Sequence, residues 1–167
     1  MEKKQIPVKN YIILAIIIVS TVFITFHLAK KYNIEKDYYK EGSPLYKVLY
    51  ELKIEELDNY LLENPNTVIY IVDGNYEETL VIDRVIKKIV LEKDLTNEII
   101  VIDATNNMSI VATKLNTILN EKLKSNKDLL EQTNILIVKE RKIVDILTPK
   151  TKNEETIINF LLKNEIM

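Results

Sequence analysis

The side chains able to do chemistry in this 167-residue chain are carboxylates, amides, amines and hydroxyls, because it has no cysteine and one histidine, His27. Without thiols there is no disulfide, no thiolate metal site, no redox pair and no cysteine nucleophile. A transition-metal site away from His27 would have to be all oxygen, and no Asp-x-Asp-x-Asp-Gly calcium loop occurs, so neither metal nor cofactor is expected. The only glycines, Gly42 and Gly74, stand alone and exclude a Gly-rich phosphate cradle.

Two stretches collect polar groups where a binding rim could form. Asp73-Gly74-Asn75-Tyr76, followed by Glu77 and Glu78, separates an apolar run from a helical pattern, the usual ligand position in an open α/β sheet. Asp103, Thr105, Asn106 and Asn107 follow the next apolar run and could line the same rim. Plainer readings stand beside both: acidic residues suit the start of a helix, and Asn-rich loops cap helices. Glu55-Glu56-Asp58 and Glu154-Glu155 have no neighbouring histidine or other sign of tuned acidity, so general acid–base work is not expected of them.

The elements that would carry these groups follow from apolar spacing. A short strand is expected over residues 46–52 and a helix over 54–62, with Ile54, Leu57 and Leu61 on one face and Asn64-Pro65 closing it. Residues 67–72 (TVIYIV) are too continuously apolar to be half exposed and predict a central strand. Ile82, Val85, Ile86 and Ile89 mark an amphipathic helix over 76–92. Residues 97–103 repeat the buried-strand pattern, and 109–123 predict a helix burying Val111, Ala112, Leu115, Ile118 and Leu119. Residues 134–138 and 143–147 flank the charged turn 139–142 as a β-hairpin. A last helix is expected over 154–166, with Thr151 and Glu154 spaced as a capping box.

Ahead of this domain, residues 12–29 carry no charge and span about 27 Å as a helix, enough for a bilayer core, with Tyr11 and Tyr32 near its interfaces. No small-x-small cleavage pattern follows, so the expectation is an uncleaved single-pass anchor in membrane lipid. Lys3, Lys4 and Lys9 precede it, which keeps the tail 1–11 cytoplasmic and sends the C-terminal domain outside the cell membrane. Residues 30–45 form a Tyr-rich stalk ending at Glu41-Gly42-Ser43-Pro44. Tyr32, Tyr38 and Tyr39 in the stalk, with Tyr46 and Tyr50 at the entry to the domain, suit self-packing, lipid headgroups or a partner helix. Setting aside Lys3, Lys4, Lys9 and Glu2 leaves 20 basic and 24 acidic residues, a mildly acidic domain that argues against nucleic acid as a partner.

The order β-α-β-α-β-α-β-β-α, with a parallel first half and a terminal antiparallel hairpin followed by a helix, resembles the thioredoxin fold over residues 46–167. The local likeness is best at TVIYIVDGNYEETLVIDRVIKKI, similar to that family's strand, active-site turn and long helix. The resemblance places the family's two cysteines on Tyr76 and Thr79, its helix-kinking proline on Arg84, and the cis-proline that faces the thiols near Thr133. All these positions are substituted here, which implies a redox-inactive member. It also implies a rim, formed by Asp73, Gly74, Asn75, Tyr76, Thr79, Asn106 and Thr133, that presents a peptide-binding surface.

The expected function is therefore a non-enzymatic, membrane-anchored module that binds another envelope protein, with a role in export or assembly as a specialisation. Two alternatives come from other classes. One is an enzyme with a non-thiol site around Asp73, Asn75, Tyr76 and Asn106, which requires a deep pocket there. The other is a structural protein that oligomerises through anchor and stalk.

Overall fold

A computed structural model describes residues 8–40, 44–74, 77–149 and 153–167. The chain divides into two units, Met1–Glu41 and Gly42–Met167. The described residues of the first form one helix, α1 (Val8–Lys40). Within it Lys9–Ala29 is long and apolar enough to cross a bilayer, a property that an anchor and a signal sequence share. Ile16, Ile17, Ile18 and Val19 are all exposed, and as consecutive residues they point to different sides of the helix. The hydroxyls of Thr21 and Thr25 donate to the carbonyls of Ile17 and Thr21, each at 2.8 Å, so these polar groups are satisfied inside the helix.

The second unit is a mixed α/β domain. Its elements are β1 (Tyr50–Glu51), α2 (Leu57–Glu63), β2 (Thr67–Val72), α3 (Glu77–Lys93), β3 (Ile99–Asp103), α4 (Met108–Thr117), β4 (Asn134–Lys139), β5 (Lys142–Leu147) and α5 (Glu154–Lys163). The five strands form one sheet in the order β1-β3-β2-β4-β5. β3 runs parallel to both β1 and β2, while β4 is antiparallel to β2 and to β5. β2 is central, as its unbroken apolar run requires, and every residue in it is buried.

Alternation along the strands sorts the core into two layers. Val68, Tyr70, Val72, Val101, Ile135 and Ile137 meet α3 and α5 through Ile82, Ile86, Ile89, Ile157, Phe160 and Leu161. Ile69, Ile71, Ile100, Ile102 and Leu136 face the other way, onto Leu57 and Leu61 of α2 and Val111 and Leu115 of α4.

The structure departs from the sequence expectations in several places. The strand expected over 46–52 is reduced to Tyr50–Glu51, because Pro44–Lys47 winds into a 3-10 turn. Its carbonyl at Leu45 accepts from the amides of Val48 and Leu49, and the turn buries Leu45 and Leu49 together. The helix expected over 109–123 stops at Thr117, and Glu121–Glu131 is a 3-10 segment with Asn120 as its cap. The reason is the edge of the sheet: Ile143 of β5 bonds to the backbone of Ile118 and Asn120, which the chain can supply only by leaving the helix. The hairpin turn contracts to Glu140-Arg141, both left-handed with φ of 53° and 64°. Thr151 of the expected capping box lies outside the described residues, and the cap is instead Asn153, whose side chain accepts from the Glu155 amide at 3.1 Å. α5 ends at Lys163, where Glu165 turns left-handed and the Ile166 amide reaches the Leu161 carbonyl.

Candidate functional site

The expected rim lies at the C-terminal ends of β2 and β3, where the backbone leaves the ladder and side chains must complete its hydrogen bonds. Val72 pairs with Asp103, so the loops after these strands emerge side by side. The Asp103 carboxylate receives the amide of Thr105 at 2.9 Å and its hydroxyl at 2.5 Å. The same Thr105 hydroxyl oxygen accepts the Gly74 amide at 2.9 Å, stitching one loop to the other. Glycine suits this approach, because a Cβ at position 74 would stand 3.1 Å from the Thr105 hydroxyl oxygen, a tight contact to which the threonine would have to yield by a few tenths of an ångström.

A second tie joins the start of α3 to the loop before β4. The buried Thr79 and the half-buried Thr133 bring their hydroxyls to 3.2 Å, and Thr133 also accepts the Asp73 amide at 3.3 Å. Asn134, fully buried, holds that loop: its amide group donates to the carbonyls of Leu129 and Gln132, and its oxygen accepts from Thr148 at 2.7 Å. Between these elements lies an open cleft of about 370 Å³, lined by Glu78, Thr79, Ile82, Glu131, Gln132, Thr133, Thr148 and Pro149.

The structure thus joins four of the expected rim residues, Asp73, Gly74, Thr79 and Thr133, through one hydrogen-bonded framework that also holds Asp103 and Thr105. Asn106 is exposed in the turn that follows Thr105. Asn75 and Tyr76 lie outside the described residues. Among the described residues no three His, Asp or Glu side chains converge as a metal site would require. What this framework offers chemically is hydrogen bonding. The contact between the two threonine hydroxyls uses one of their two protons, in whichever direction it runs.

Three supporting residues carry no strong local signal. Asn134 and Thr148 are ordinary strand-end residues in the sequence. Asp83 is fully buried and accepts from the hydroxyl of Tyr70 at 2.7 Å. Its helical spacing from Thr79 and Ile86 puts it on the inward face of α3, the one sign that could have found it.

No protein-family model matches the chain, and a search of curated proteins finds no match.

Proposed function

We propose that this chain is a membrane-anchored, redox-inactive, thioredoxin-like module that binds another protein of the cell envelope through the rim around Asp73 and Thr79. The observation that carries this reading is the contact between Thr79 and Thr133, 3.2 Å apart and 54 residues distant in sequence. The resemblance aligned Thr79 with a catalytic cysteine and Thr133 with the cis-proline facing it, and a direct contact between the two supports that alignment. The parallel β1-β3-β2 half, followed by the antiparallel β4-β5 hairpin and α5, supports it as well. A hydroxyl at Thr79 in place of a thiol exchanges hydrogen bonds and not electrons, so binding is the use that remains. The open form of the neighbouring cleft suits a binding surface better than a closed catalytic pocket.

The apolar helix Lys9–Ala29 serves as the anchor, with the N-terminal tail in the cytoplasm and the domain outside. The deciding experiment places a photo-crosslinking residue at exposed Asn106 and, as a control, at Arg141 on the far end of the sheet. A partner captured from intact cells at 106 and not at 141 is the expected result. Equal capture at both, or none at either, overturns the rim as the binding surface. Protection of the domain from protease added outside intact cells would reverse the orientation.

A further inference from the structure

Among the described residues β5 is an edge strand, with β4 on one side and an isolated bridge from Leu119 to Ile143, but no strand, on the other. Edge strands present unpaired amides and carbonyls that template pairing with another chain. The run Ile143–Leu147 (IVDIL) has the composition that does this most readily, four aliphatic residues with Asp145 as the single charge. Near its start the edge is closed by backbone: the Ile143 amide donates to the Ile118 carbonyl at 2.9 Å, and the Ile143 carbonyl accepts from Asn120 at 3.1 Å. Further along, the closing group is a side chain. The Ile146 amide donates to the Asp145 carboxylate at 3.0 Å.

The same carboxylate is held from the other side. Its second oxygen accepts from the Lys163 ammonium at 2.8 Å and from the Asn164 amide group at 3.1 Å, both at the end of α5. Asn164 is itself fixed by donating to the Phe160 carbonyl at 2.9 Å. A register shift between Ile137 and Val138 marks an irregularity in the β4-β5 pairing beside Asp145. Burial raises the Asp145 pKa, but the hydrogen bonds from Lys163, Asn164 and the Ile146 amide, with the Lys163 charge, outweigh it and hold the group below the usual carboxylate range. It is therefore a charged acceptor at neutral pH.

We propose that Asp145 is a guard on the open edge of the sheet: it occupies the outward amide of Ile146 and so keeps a second copy of this chain from adding its own β5. A second copy is the strand to be excluded because an antiparallel β5–β5 contact is self-complementary, each copy presenting the same edge about a two-fold axis. Tethering would also concentrate such copies in the plane of a membrane.

The test uses the full chain in detergent micelles, reading hydrogen exchange at the Ile146 amide and particle mass against concentration. In the native chain this amide should exchange about tenfold or more slowly than a free amide. In Asp145→Ala it should exchange freely in dilute samples and become protected as the mass rises to that of a higher oligomer on concentration. Lys163→Gln, which leaves the carboxylate on Ile146, should behave as the native chain. An Ile146 amide that exchanges freely in the native chain overturns the proposal even if Asp145→Ala does not fold. So does an Asp145→Ala chain that folds and keeps the native mass at every concentration.

Discussion

The two ends of the sheet solve the same problem in different ways. At the rim the loops leaving β2 and β3, and the one entering β4, are tied by side chains: Thr105 to Gly74, Thr133 to Asp73 and Thr79, Asn134 to Thr148. At the opposite end the β4-β5 turn is clamped onto the chain before β2, with the Arg141 amide on the Pro65 carbonyl at 2.8 Å and the Glu140 amide on the Asn66 side chain at 3.0 Å. That clamp holds two non-glycine residues left-handed, a conformation unfavourable for side chains with a Cβ. The turn is a closed device in which these donors are consumed and strain is accepted. The rim is closed by hydroxyls, which both donate and accept, and so remains able to bond outward into a cleft.

The strongest way to break this contrast is Thr133→Val, which removes the acceptor of the Asp73 amide and the partner of the Thr79 hydroxyl at once. It should cost about 1–3 kcal/mol in urea unfolding, because a buried donor loses its partner. At the other end, replacing the turn by Glu140→Asn with Arg141→Gly should stabilise the domain by roughly 1 kcal/mol, since these residues accept a left-handed backbone. Stability that falls instead would mean that the Glu140 and Arg141 side chains contribute more than the strain costs. Asn66→Ala, which opens one exposed bond of the clamp, should lose about 0.5–1 kcal/mol. Lys88, paired on the surface with Glu154, has its pKa raised by the hydrogen bond and charge of that carboxylate. Lys88→Met should leave the unfolding midpoint almost unchanged, because both partners remain hydrated.

Acid sharpens the comparison at the sheet's edge, away from either end. Because the Asp145 pKa is lowered on folding, its contribution is complete above the ordinary value of 3.8 and is lost as pH falls through the lower folded value. Native chain and Asp145→Asn should therefore differ in stability at pH 6 and converge in strong acid. A difference that persists unchanged in acid would remove the charge of Asp145 as its source.

Much of the candidate site was legible because its residues stand next to strong local patterns. Asp73 and Gly74 directly follow the apolar run of β2, and Thr79 sits in the first turns of a helix marked by Ile82, Val85, Ile86 and Ile89. The partnerships were not legible. Thr105 lies 31 residues from Gly74 and Thr133 lies 60 from Asp73, and no periodicity relates residues so far apart. Asp83 shows the same limit in the core, since a carboxylate on a helix is ordinarily a surface residue and its burial is tolerable where it finds partners such as the hydroxyl of Tyr70 on β2.

By itself the sequence determined what depends on neighbours along the chain: the apolar helix 12–29, the central strand over 67–72, the helix after it and the order of elements. Their periods of 3.6 and 2, or an unbroken apolar run, are written within a few residues. Only the tertiary structure decided where helices had to stop and which polar groups met. α4 ends at Thr117 because the edge of β5 takes the backbone of Ile118 and Asn120, and Thr79 meets Thr133 because α3 and the start of β4 both pack beside β2. Backbone and hydroxyl groups shut away from water must find partners wherever the fold brings them, and that requirement has no signature in local order.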